Sequence, residues 1–507
     1  MFPFDDVLIQ LHPNDPIAIA KSDLQPNTQI TLPGGDVLAI RETIPTGHKA
    51  SLKTLEAGQI IFRYGYPIGQ TISYIPAGSW VHTHNVSLHE ETSEYSWQVV
   101  KPIIPILTGR TFMGYDRPYK KAGTRNYIAV ISTVSCSAHV TSQIARDFPN
   151  EALMEFPNVD GVIPILHGSG CSLPPGGLSY TYLKRSLTNL AHNPNVAAVV
   201  YVGLGCEVMQ WEKCHSLFED HENITLGLVI QEQGGFENTV KAGIKAVREL
   251  LPQVNLIERT EQPLSNLVIA LQCGGSDGWS GVTANPLIGQ VVDQLVSEGG
   301  TAVLAETPEI FGAEQLLLQR VSSAEVGRKL VELFQWWSAE ARRRGFSVDN
   351  NPTPGNKNGG LTTIYEKSLG AVTKAGSTPL NGVYNYAEWI DRSGLVFMDT
   401  PGNDPISITG QLAGGCNLIL FTTGRGTVYG SAIAPCIKIA SNNDLYKRLR
   451  KDMDFNAGKL LKCASWEIVS DELLDLLVAT ASGKQTTSET HGLSESEFVP
   501  WQPDPVL

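Results

Sequence analysis

Polar and reactive side chains follow seven apolar runs that the sequence predicts to be buried strands. These strand-end residues are Ser135 and Cys136, His167 and Cys171, Cys206 and Glu207, Cys273 and Asp277, Glu306, Asp399 and Thr400, and Thr422, Thr423 and Arg425. Ligands of open α/β sheets bind outside the carboxyl ends of the strands, so this set predicts the rim of an active site. The alternative is a set of turns and helix caps, which need glycine, serine and aspartate for backbone reasons alone.

Two charged residues in glycine-containing loops are candidates for binding an anionic ligand. Lys357 lies in NPTPGNKNGG (351–360), a long polar loop of the kind that is often functional. Arg425 lies in TTGRGTVYG (422–430) and is able to grip a carboxylate through two parallel hydrogen bonds. A surface or interdomain ion pair is the alternative role for Arg425.

Histidines near the N-terminus offer metal-binding chemistry. The segment VHTHN holds His82 and His84. Side chains two residues apart in a strand point to the same face, so both imidazoles are expected to reach one divalent metal. An exposed polar strand face is the alternative interpretation. A further pair, His48 and Lys49, lies in GHK.

The composition is that of an ordinary globular protein of 507 residues, with 42% hydrophobic and 18% charged residues. No apolar run reaches the roughly 18–20 residues of a membrane helix, and the acidic N-terminus does not resemble a secretory signal. The formal net charge of −13, with scattered Lys and Arg, argues against binding to nucleic acid or an anionic membrane. The eight cysteines form no CxxC pair, which favours reduced thiols in the cytoplasm.

The pattern of turns and apolar runs predicts an α/β fold in three units. Residues 1–87 alternate short apolar runs with Gly and Pro turns, which is typical of a small all-β domain. Residues 88–110 are predicted to be a linker. Two α/β domains with mainly parallel sheets are expected over 111–258 and 259–507, the second ending in a polar tail.

Eight buried strands and two amphipathic helices are predicted within the α/β domains. The strands are expected at 127–133, 162–166, 197–204, 226–230, 267–272, 302–305, 395–398 and 417–421. The helices are expected where apolar residues recur at i, i+4, i+7 and i+11, which marks one helix face. These residues are Val240, Ile244, Val247 and Leu251, and Val326, Leu330, Leu333 and Trp337.

The order of several motifs resembles the altronate/galactarate dehydratase family along nearly the whole chain. The motifs are IPTGHKASL, YGYPIG and GSWVHTHN, then GYDRPYKKAGTRNYI (114–128), HGSGC (167–171), VGLGCE (202–207), QCGGSDGWSGVTANP (272–286), NPTPGNKNGG, TPGND and FTTGRGTVYG. The segments ETPEIFGAEQLL (306–317) and VHTHN resemble the altronate branch. The resemblance implies an N-terminal SAF-type β-clip domain followed by a two-part catalytic body.

The resemblance also implies a metal-dependent hydro-lyase of sugar-acid catabolism, which converts D-altronate into 2-dehydro-3-deoxy-D-gluconate and water. Such a site needs a Lewis acid at the carboxylate, a base at C2 and an acid at the C3 oxygen. His48, His167 and Lys49 are the candidate catalytic residues. Contacts to the substrate are expected from Ser276, Asp277, Thr283, Asn285, Lys357 and Arg425.

Fe²⁺ is the implied metal, with Mn²⁺ as the second choice and His82 and His84 as candidate ligands. A competing interpretation is an iron–sulfur cluster, because thiolates suit iron and several cysteines follow different strands. The four cysteines concerned are Cys136, Cys171, Cys206 and Cys273. The expected partners are a small sugar acid and a second copy of the chain, in a homo-oligomer such as a dimer.

Two other functions remain open at this level. One is a related lyase that acts on galactarate, another aldarate or a sulfonated hydroxy acid. The other is a homologue that binds a sugar acid but has lost activity.

Overall fold

The computed structural model describes residues 1–89, 95–106, 108–118, 121–215, 224–462, 464–494 and 497–505. Within these residues, three small sheets at the N-terminus are followed by two parallel sheets. None of the described helices combines the length and the apolar character needed to cross a membrane.

The N-terminal unit is built from ten short strands and one helical turn. The elements are β1 (Phe2–Pro3), α1 (Phe4–Val7), β2 (Leu8–Ile9), β3 (Ile17–Ala20), β4 (Gln29–Thr31), β5 (Val37–Ala39), β6 (Lys49–Ser51), β7 (Ile60–Arg63), β8 (Tyr66–Thr71), β9 (Trp80–Val81) and β10 (Val86–Ser87). They pair in the orders β1-β4-β5, β10-β8-β7 and β2-β3-β6-β9. This arrangement confirms the all-β N-terminal domain.

The middle unit is a four-stranded parallel sheet with helices packed against it. Its elements are β11 (Thr111–Tyr115), β12 (Tyr127–Ser132), α2 (Ala138–Arg146), β13 (Gly161–Ile165), α3 (Leu178–Ala191), β14 (Val196–Gly203), α4 (Trp211–His215), β15 (Ile224–Val229) and α5 (Phe236–Val254). The strand order is β13-β12-β14-β15. All its described neighbouring strands run parallel, so their carboxyl ends share one edge.

The last unit is a seven-stranded parallel sheet. Its elements are β16 (Arg259–Pro263), β17 (Val268–Cys273), α6 (Ala284–Ser297), β18 (Thr301–Leu304), α7 (Glu314–Leu318), α8 (Ala324–Arg344), α9 (Pro354–Asn358), α10 (Ile364–Ala371), β19 (Leu380–Tyr384), β20 (Gly394–Met398), α11 (Asp404–Ala413), β21 (Leu418–Thr423), β22 (Cys436–Ala440), α12 (Asn443–Arg448), β23 (Phe455–Asn456), α13 (Trp466–Ala481) and α14 (Thr487–Thr490). The sheet order is β19-β20-β18-β17-β21-β22-β23, and β16 pairs instead with β11 in an antiparallel ribbon.

Shared hydrophobic cores connect the three units. One cluster joins Ile61 and Ile68 of the N-terminal unit to Leu287 of α6 and Leu369 of α10. A second cluster lies between the two parallel sheets, and a third covers the other face of the four-stranded sheet. Burial on both faces explains why the strands of both sheets are continuously apolar.

All eight predicted strands are present, with ends within two residues of the expected positions. Both predicted helices are present as α5 and α8, and they bury Val247, Leu251, Leu330 and Leu333 as the periodicity requires. The sequence did not reveal β19, β22 and β23. β19 (LNGVY) carries Asn and Gly, β22 (CIKIA) carries Lys438, and β23 is only two residues long.

Candidate active site at the carboxyl edge of the seven-stranded sheet

Glycines bring three chain segments into main-chain contact at the carboxyl end of β17. The N–H of Gly278 donates to the carbonyl of Gly359 at 2.7 Å. A Cβ atom on Gly278 or on Gly360 would collide with the carbonyl oxygen of Gly47 in the N-terminal unit. The glycine-rich stretch after β17 is therefore required for close packing against the N-terminal loop, beyond any contact with a ligand.

A buried ion network lies beneath this junction. The Nζ atom of Lys49 lies 2.9 and 3.0 Å from the two carboxylate oxygens of Glu366 on α10. Arg63 pairs with the same carboxylate and donates to the carbonyl of Gly278 at 2.7 Å. Burial raises the pKa of Glu366, but Lys49 and Arg63 outweigh that effect and lower the pKa to about 2. The structure therefore places Lys49, a predicted catalytic residue, in an interdomain ion pair.

Both ring nitrogens of His48 are occupied. The Nε1–H of Trp80 donates to His48 Nδ1 at 3.2 Å, so Nε2 carries the hydrogen and donates to the carbonyl of Asn358 at 3.2 Å. Burial, followed by the charge of Lys49, lowers the pKa of His48 to about 4. The ring is neutral at pH 7 and connects the N-terminal unit to the 351–360 loop.

His82 and His84 lie in a turn after β9, whereas the sequence predicted a strand. His82 is buried and stacks on Trp80 with 5.1 Å between ring centroids, while His84 is exposed. No group in the described residues bonds to Nδ1 of His82. Burial, followed by Lys49, lowers the pKa of His82 to about 3. His82 therefore offers a neutral imidazole with an unpaired nitrogen, and the same-face argument for the two histidines does not apply.

A polar cavity of about 330 Å³ opens beside the junction. Its walls include Asp277, Trp279, Asn358 and Arg425. Five cationic side chains line it, against the two carboxyls of Asp277 and Asp444. The cations are Lys21, Arg425, Lys447, Arg448 and Lys462. On a chain with a net charge of −13 this is a local positive site, which attracts an anionic ligand.

Most of the predicted substrate contacts are already engaged within the protein. Asp277 accepts hydrogen bonds from Ser280, Ser441 and Asn442, while Asn285 donates to the carbonyl of Gly370.

Thr283 donates to the carbonyl of Ser441 at 2.6 Å, and the carbonyl of buried Ser276 accepts from Asn356 at 2.8 Å. Lys357 lies on α9 and, unlike its neighbour Asn358, is outside the cavity lining described above. Of the six predicted contacts, Arg425 and Asp277 therefore line the cavity.

His167 lies at the other sheet, after β13. Its Nε2 bonds to the carbonyl of Ser132 at 2.8 Å and its Nδ1 accepts from the N–H of Ser169 at 3.1 Å. Burial lowers the pKa of His167 to about 4. The structure therefore does not bring His167 to the same edge as His48.

A buried acid–base cluster follows β17 and β18, and sequence reasoning found only part of it. The Nζ atom of Lys374 lies 2.9 Å from Cys273 Sγ and 3.8 Å from Glu306. Lys367 pairs with Glu309 at 2.7 Å. Cys273 and Glu306 were expected as strand-end residues, whereas Glu309 and the two lysines were not. The seven-residue spacing of Lys367 and Lys374 on an otherwise apolar segment was the available signal, because it puts both on one helix face.

Asp404, at the start of α11, borders this cluster. It accepts a hydrogen bond from Gln272 at 3.1 Å and lies against the backbone of Gly274, where a Cβ would collide with its carboxylate. Burial, followed by the charge of Glu309, raises the pKa of Asp404 to about 6. The neighbouring Gly275 lies against Arg425, with 3.4 Å between a built Cβ and the Arg425 Cβ. Two consecutive glycines thus separate the acid–base cluster from the cationic cavity.

Comparison with known proteins shows the family to which the chain belongs. Three family models match in order: the altronate/galactarate dehydratase SAF domain over 6–89, the D-galactarate dehydratase/altronate hydrolase second domain over 114–255, and the D-galactarate/altronate dehydratase C-terminal domain over 264–506. The chain belongs to the altronate/galactarate dehydratase family. This confirms the resemblance in the sequence and assigns the chain to a family of hydro-lyases.

Curated relatives align over nearly the full length. The altronate dehydratase of Bacillus subtilis (strain 168) is 34% identical over 490 residues, which cover 96% of this chain and 97% of the relative. The altronate dehydratase of Escherichia coli (strain K12) is 34% identical over 492 residues, covering 96% and 97%. The galactarate dehydratase (L-threo-forming) of E. coli (strain K12) is 34% identical over 511 residues, covering 98% and 97%.

A dehydratase of this family is expected to use a metal, and the buried cluster fits one. Cys273, Glu306 and Glu309 are the one set in the described residues whose three ligand atoms all lie within 4.8 Å of one another. The cluster holds a thiol and, with Asp404, three carboxyls, against only two lysine cations. Glu306 Oε1 has no partner in the described residues, and the Glu306 backbone is left-handed at φ 67°. A divalent cation would balance the excess of acidic groups.

Proposed function

We propose that the protein is an altronate dehydratase, which removes water from D-altronate and forms 2-dehydro-3-deoxy-D-gluconate. The observation that carries the proposal is the 34% identity to two altronate dehydratases across 96% of the chain. A galactarate dehydratase relative has the same identity across 98% of the chain. Galactarate is therefore the second candidate substrate.

The reaction removes the C2 proton and breaks the C3–O bond. The C3 hydroxyl leaves as water, and the resulting enol tautomerises to the 2-keto acid. Because the C2 hydrogen is a weak acid beside a carboxylate, the site must first offset the negative charge of that carboxylate. The five cations of the 330 Å³ cavity support this role, and Arg425 is the candidate for gripping the carboxylate through paired hydrogen bonds.

Asp404 is the proposed proton-transfer group. A general acid or base works best when its pKa is close to the working pH. The pKa of Asp404 is raised to about 6, which is close to neutral pH. Its position against Gly274, one residue from the glycine that contacts Arg425, supports a substrate lying across this backbone. His48 and His167 have both nitrogens engaged, so neither is free to exchange a proton without breaking a hydrogen bond.

A divalent metal is proposed at Cys273, Glu306 and Glu309, where it would supply Lewis-acid stabilisation of the substrate carboxylate. Iron(II) is the proposed ion, with manganese(II) as the alternative. Lys367 and Lys374 contact the three acidic ligands and hold them in place. His82, with its unpaired Nδ1, remains a candidate for an additional contact from the N-terminal unit.

The proposal is tested with the full chain purified without oxygen and supplied with iron(II) or manganese(II). D-altronate, galactarate and (2R)-sulfolactate are offered separately, and 2-keto acid and sulfite are measured. Keto acid formed from altronate at least ~10-fold faster than from galactarate supports the proposal. The reverse order would make galactarate the substrate. If altronate binds but is not converted with either metal, the protein is a sugar-acid-binding protein and the proposal is wrong.

A further inference from the structure

Three cysteines lie in loops that follow adjacent strands at the carboxyl edge of the four-stranded sheet. Cys136 follows β12, Cys171 follows β13 and Cys206 follows β14, and these strands are adjacent in the order β13-β12-β14. All three are exposed, whereas the other described cysteines are buried. The reaction proposed at the cavity of the seven-stranded sheet uses none of these three cysteines.

The strand registers bring the three cysteine-containing loops out at the same edge of the sheet. Ile131 pairs with Ile165, and Ser132 pairs with Val202. Cys136 therefore lies about four residues beyond the last pairing on its strand, as does Cys206, and Cys171 about six. Adjacent strands are about 4.8 Å apart, so the sheet itself brings the three segments side by side.

Direct contacts hold the three loops against one another. The N–H of Ser135 donates to the carbonyl of Ser169 at 2.8 Å, which joins the first two loops. The hydroxyl of Thr133 donates to Glu207 at 2.8 Å, which joins the first and third. Each cysteine lies one or two residues from one of these contacts. The three cysteine-containing loops therefore form one connected rim.

Small residues flank the three cysteines. Gly170 has a left-handed φ of 101°, and a Cβ there would lie 2.8 Å from the Cα of Val134. Gly168 has nothing within 4 Å of the place where a Cβ would stand. Serine or glycine precedes each of the three cysteines. Gly170 therefore lets the first two loops pack closely, and the space beside Gly168 is open.

The separation of the three thiols favours an iron–sulfur cluster over a single metal ion. A single ion with metal–sulfur bonds of about 2.3 Å holds its thiolates about 4 Å apart. These three cysteines are not among the described sets of ligand atoms that lie within 4.8 Å of one another. In a four-iron cluster each cysteine thiolate binds a different iron, so the sulfurs need not converge on one ion.

We propose that Cys136, Cys171 and Cys206 hold a [4Fe–4S] cluster whose fourth iron has no protein thiolate. Such an iron is open to a carboxylate or hydroxyl oxygen, so the ligand class is a small hydroxy acid. Cys273 does not take part, because it is buried at the other sheet with its sulfur against Lys374. The sequence offered four cysteines as candidate ligands of an iron–sulfur cluster, and this proposal retains three of them. The assignment does not depend on altronate being the substrate of the cavity.

The test measures iron and acid-labile sulfide in the full chain, purified without oxygen and reconstituted with iron(II), sulfide and a thiol reductant. The expected content is about four sulfides per chain, and about four irons in addition to the ion proposed at Cys273, Glu306 and Glu309. A three-iron electron paramagnetic resonance signal is expected after mild oxidation that removes the open iron. The variants Cys136→Ala, Cys171→Ala and Cys206→Ala are each expected to lose most of the sulfide. Because these thiols are exposed, circular dichroism and melting of the variants are expected to match those of the wild-type chain before reconstitution.

Cys273→Ser is the matched control, and it is expected to retain the sulfide of the wild-type chain. Wild-type protein that binds iron without sulfide would overturn the cluster. Sulfide that survives in all three alanine variants, or disappears in Cys273→Ser while the fold is intact, would overturn the three-cysteine assignment. Iron and sulfide are counted without turnover, so failure of altronate dehydration leaves this result unaffected.

Discussion

At the scale of single residues, the groups available for proton transfer are carboxyls rather than imidazoles. His48 and His167 each use both ring nitrogens, and burial lowers the pKa of each to about 4. A buried histidine with this pattern acts as a neutral connector of loops. Asp404 differs because its pKa is raised to about 6.

Asp404→Asn is expected to lower kcat for altronate by about 100- to 10,000-fold, the usual worth of a general acid or base. The amide keeps the shape of the side chain but cannot exchange the proton, so KM is expected to change little. Steady-state kinetics with iron(II) check this. The control is Asp444→Asn, whose carboxyl is exposed at the cavity mouth. Equal loss in both variants would remove Asp404 from the chemistry.

Arg425→Gln is expected to raise KM for altronate about 10-fold, equivalent to about 1.4 kcal/mol, because the cavity loses the side chain proposed to grip the carboxylate. Arg450→Gln is the matched control, since Arg450 is an exposed arginine near the same cavity but contacts Tyr446. If both variants give the wild-type KM, the carboxylate is bound elsewhere.

The sequence predicted residues that lie at the site but not what each of them does there. Strand-end position was enough to find Asp277, Arg425 and Cys273. It could not show that Lys49 pairs with Glu366, because the partner lies 317 residues along the chain and the pairing depends on the packing of two units. For the same reason, the bonds that occupy Thr283 and Asn285 could not be predicted.

At the scale of elements, strands were predictable where an apolar run was unbroken. The order of the strands in the seven-stranded sheet was not predictable from the sequence. The central strand β17 lies between β18 and β21, which are far from each other along the chain. The glycine-rich stretch after β17 was predicted to serve a ligand. The structure adds a packing role, since Gly278 lies against the carbonyl of Gly47.

Gly278→Ala is expected to reduce the free energy of unfolding by about 1–3 kcal/mol, because the added methyl group forces two backbones apart. The φ of Gly278 is outside the left-handed region, so the effect is steric. Denaturant unfolding measures it. Gly34→Ala is the control, because nothing lies within 4 Å of a Cβ at that position of the N-terminal unit. Equal stabilities would show that the junction is looser than the structure describes.

At the scale of the whole molecule, the N-terminal unit is bound to the catalytic body through charge as well as through a shared core. Glu366 accepts from Lys49 of β6 and from Arg63 of β7, and all three side chains are buried. Removing one member of a buried pair leaves the other charge without a partner, which is costly. The N-terminal unit is thus expected to unfold together with the seven-stranded unit.

This network predicts how stability depends on pH. The pKa of Glu366 is lowered from 4.5 to about 2 in the folded chain, so its contribution is complete above pH 4.5 and is lost as the pH falls towards 2. Glu366→Gln is therefore expected to lower the free energy of unfolding by about 3–5 kcal/mol at pH 7, with the difference from wild type shrinking below pH 4.5. Urea unfolding between pH 7 and pH 3 measures this difference.

Glu340→Gln is the control. Glu340 pairs with Arg343 and Arg344 on the surface, where solvent screens the ion pairs, so its loss is expected to leave the free energy of unfolding almost unchanged. A Glu366→Gln difference that stays constant down to pH 3 would show that folding does not lower the pKa of Glu366.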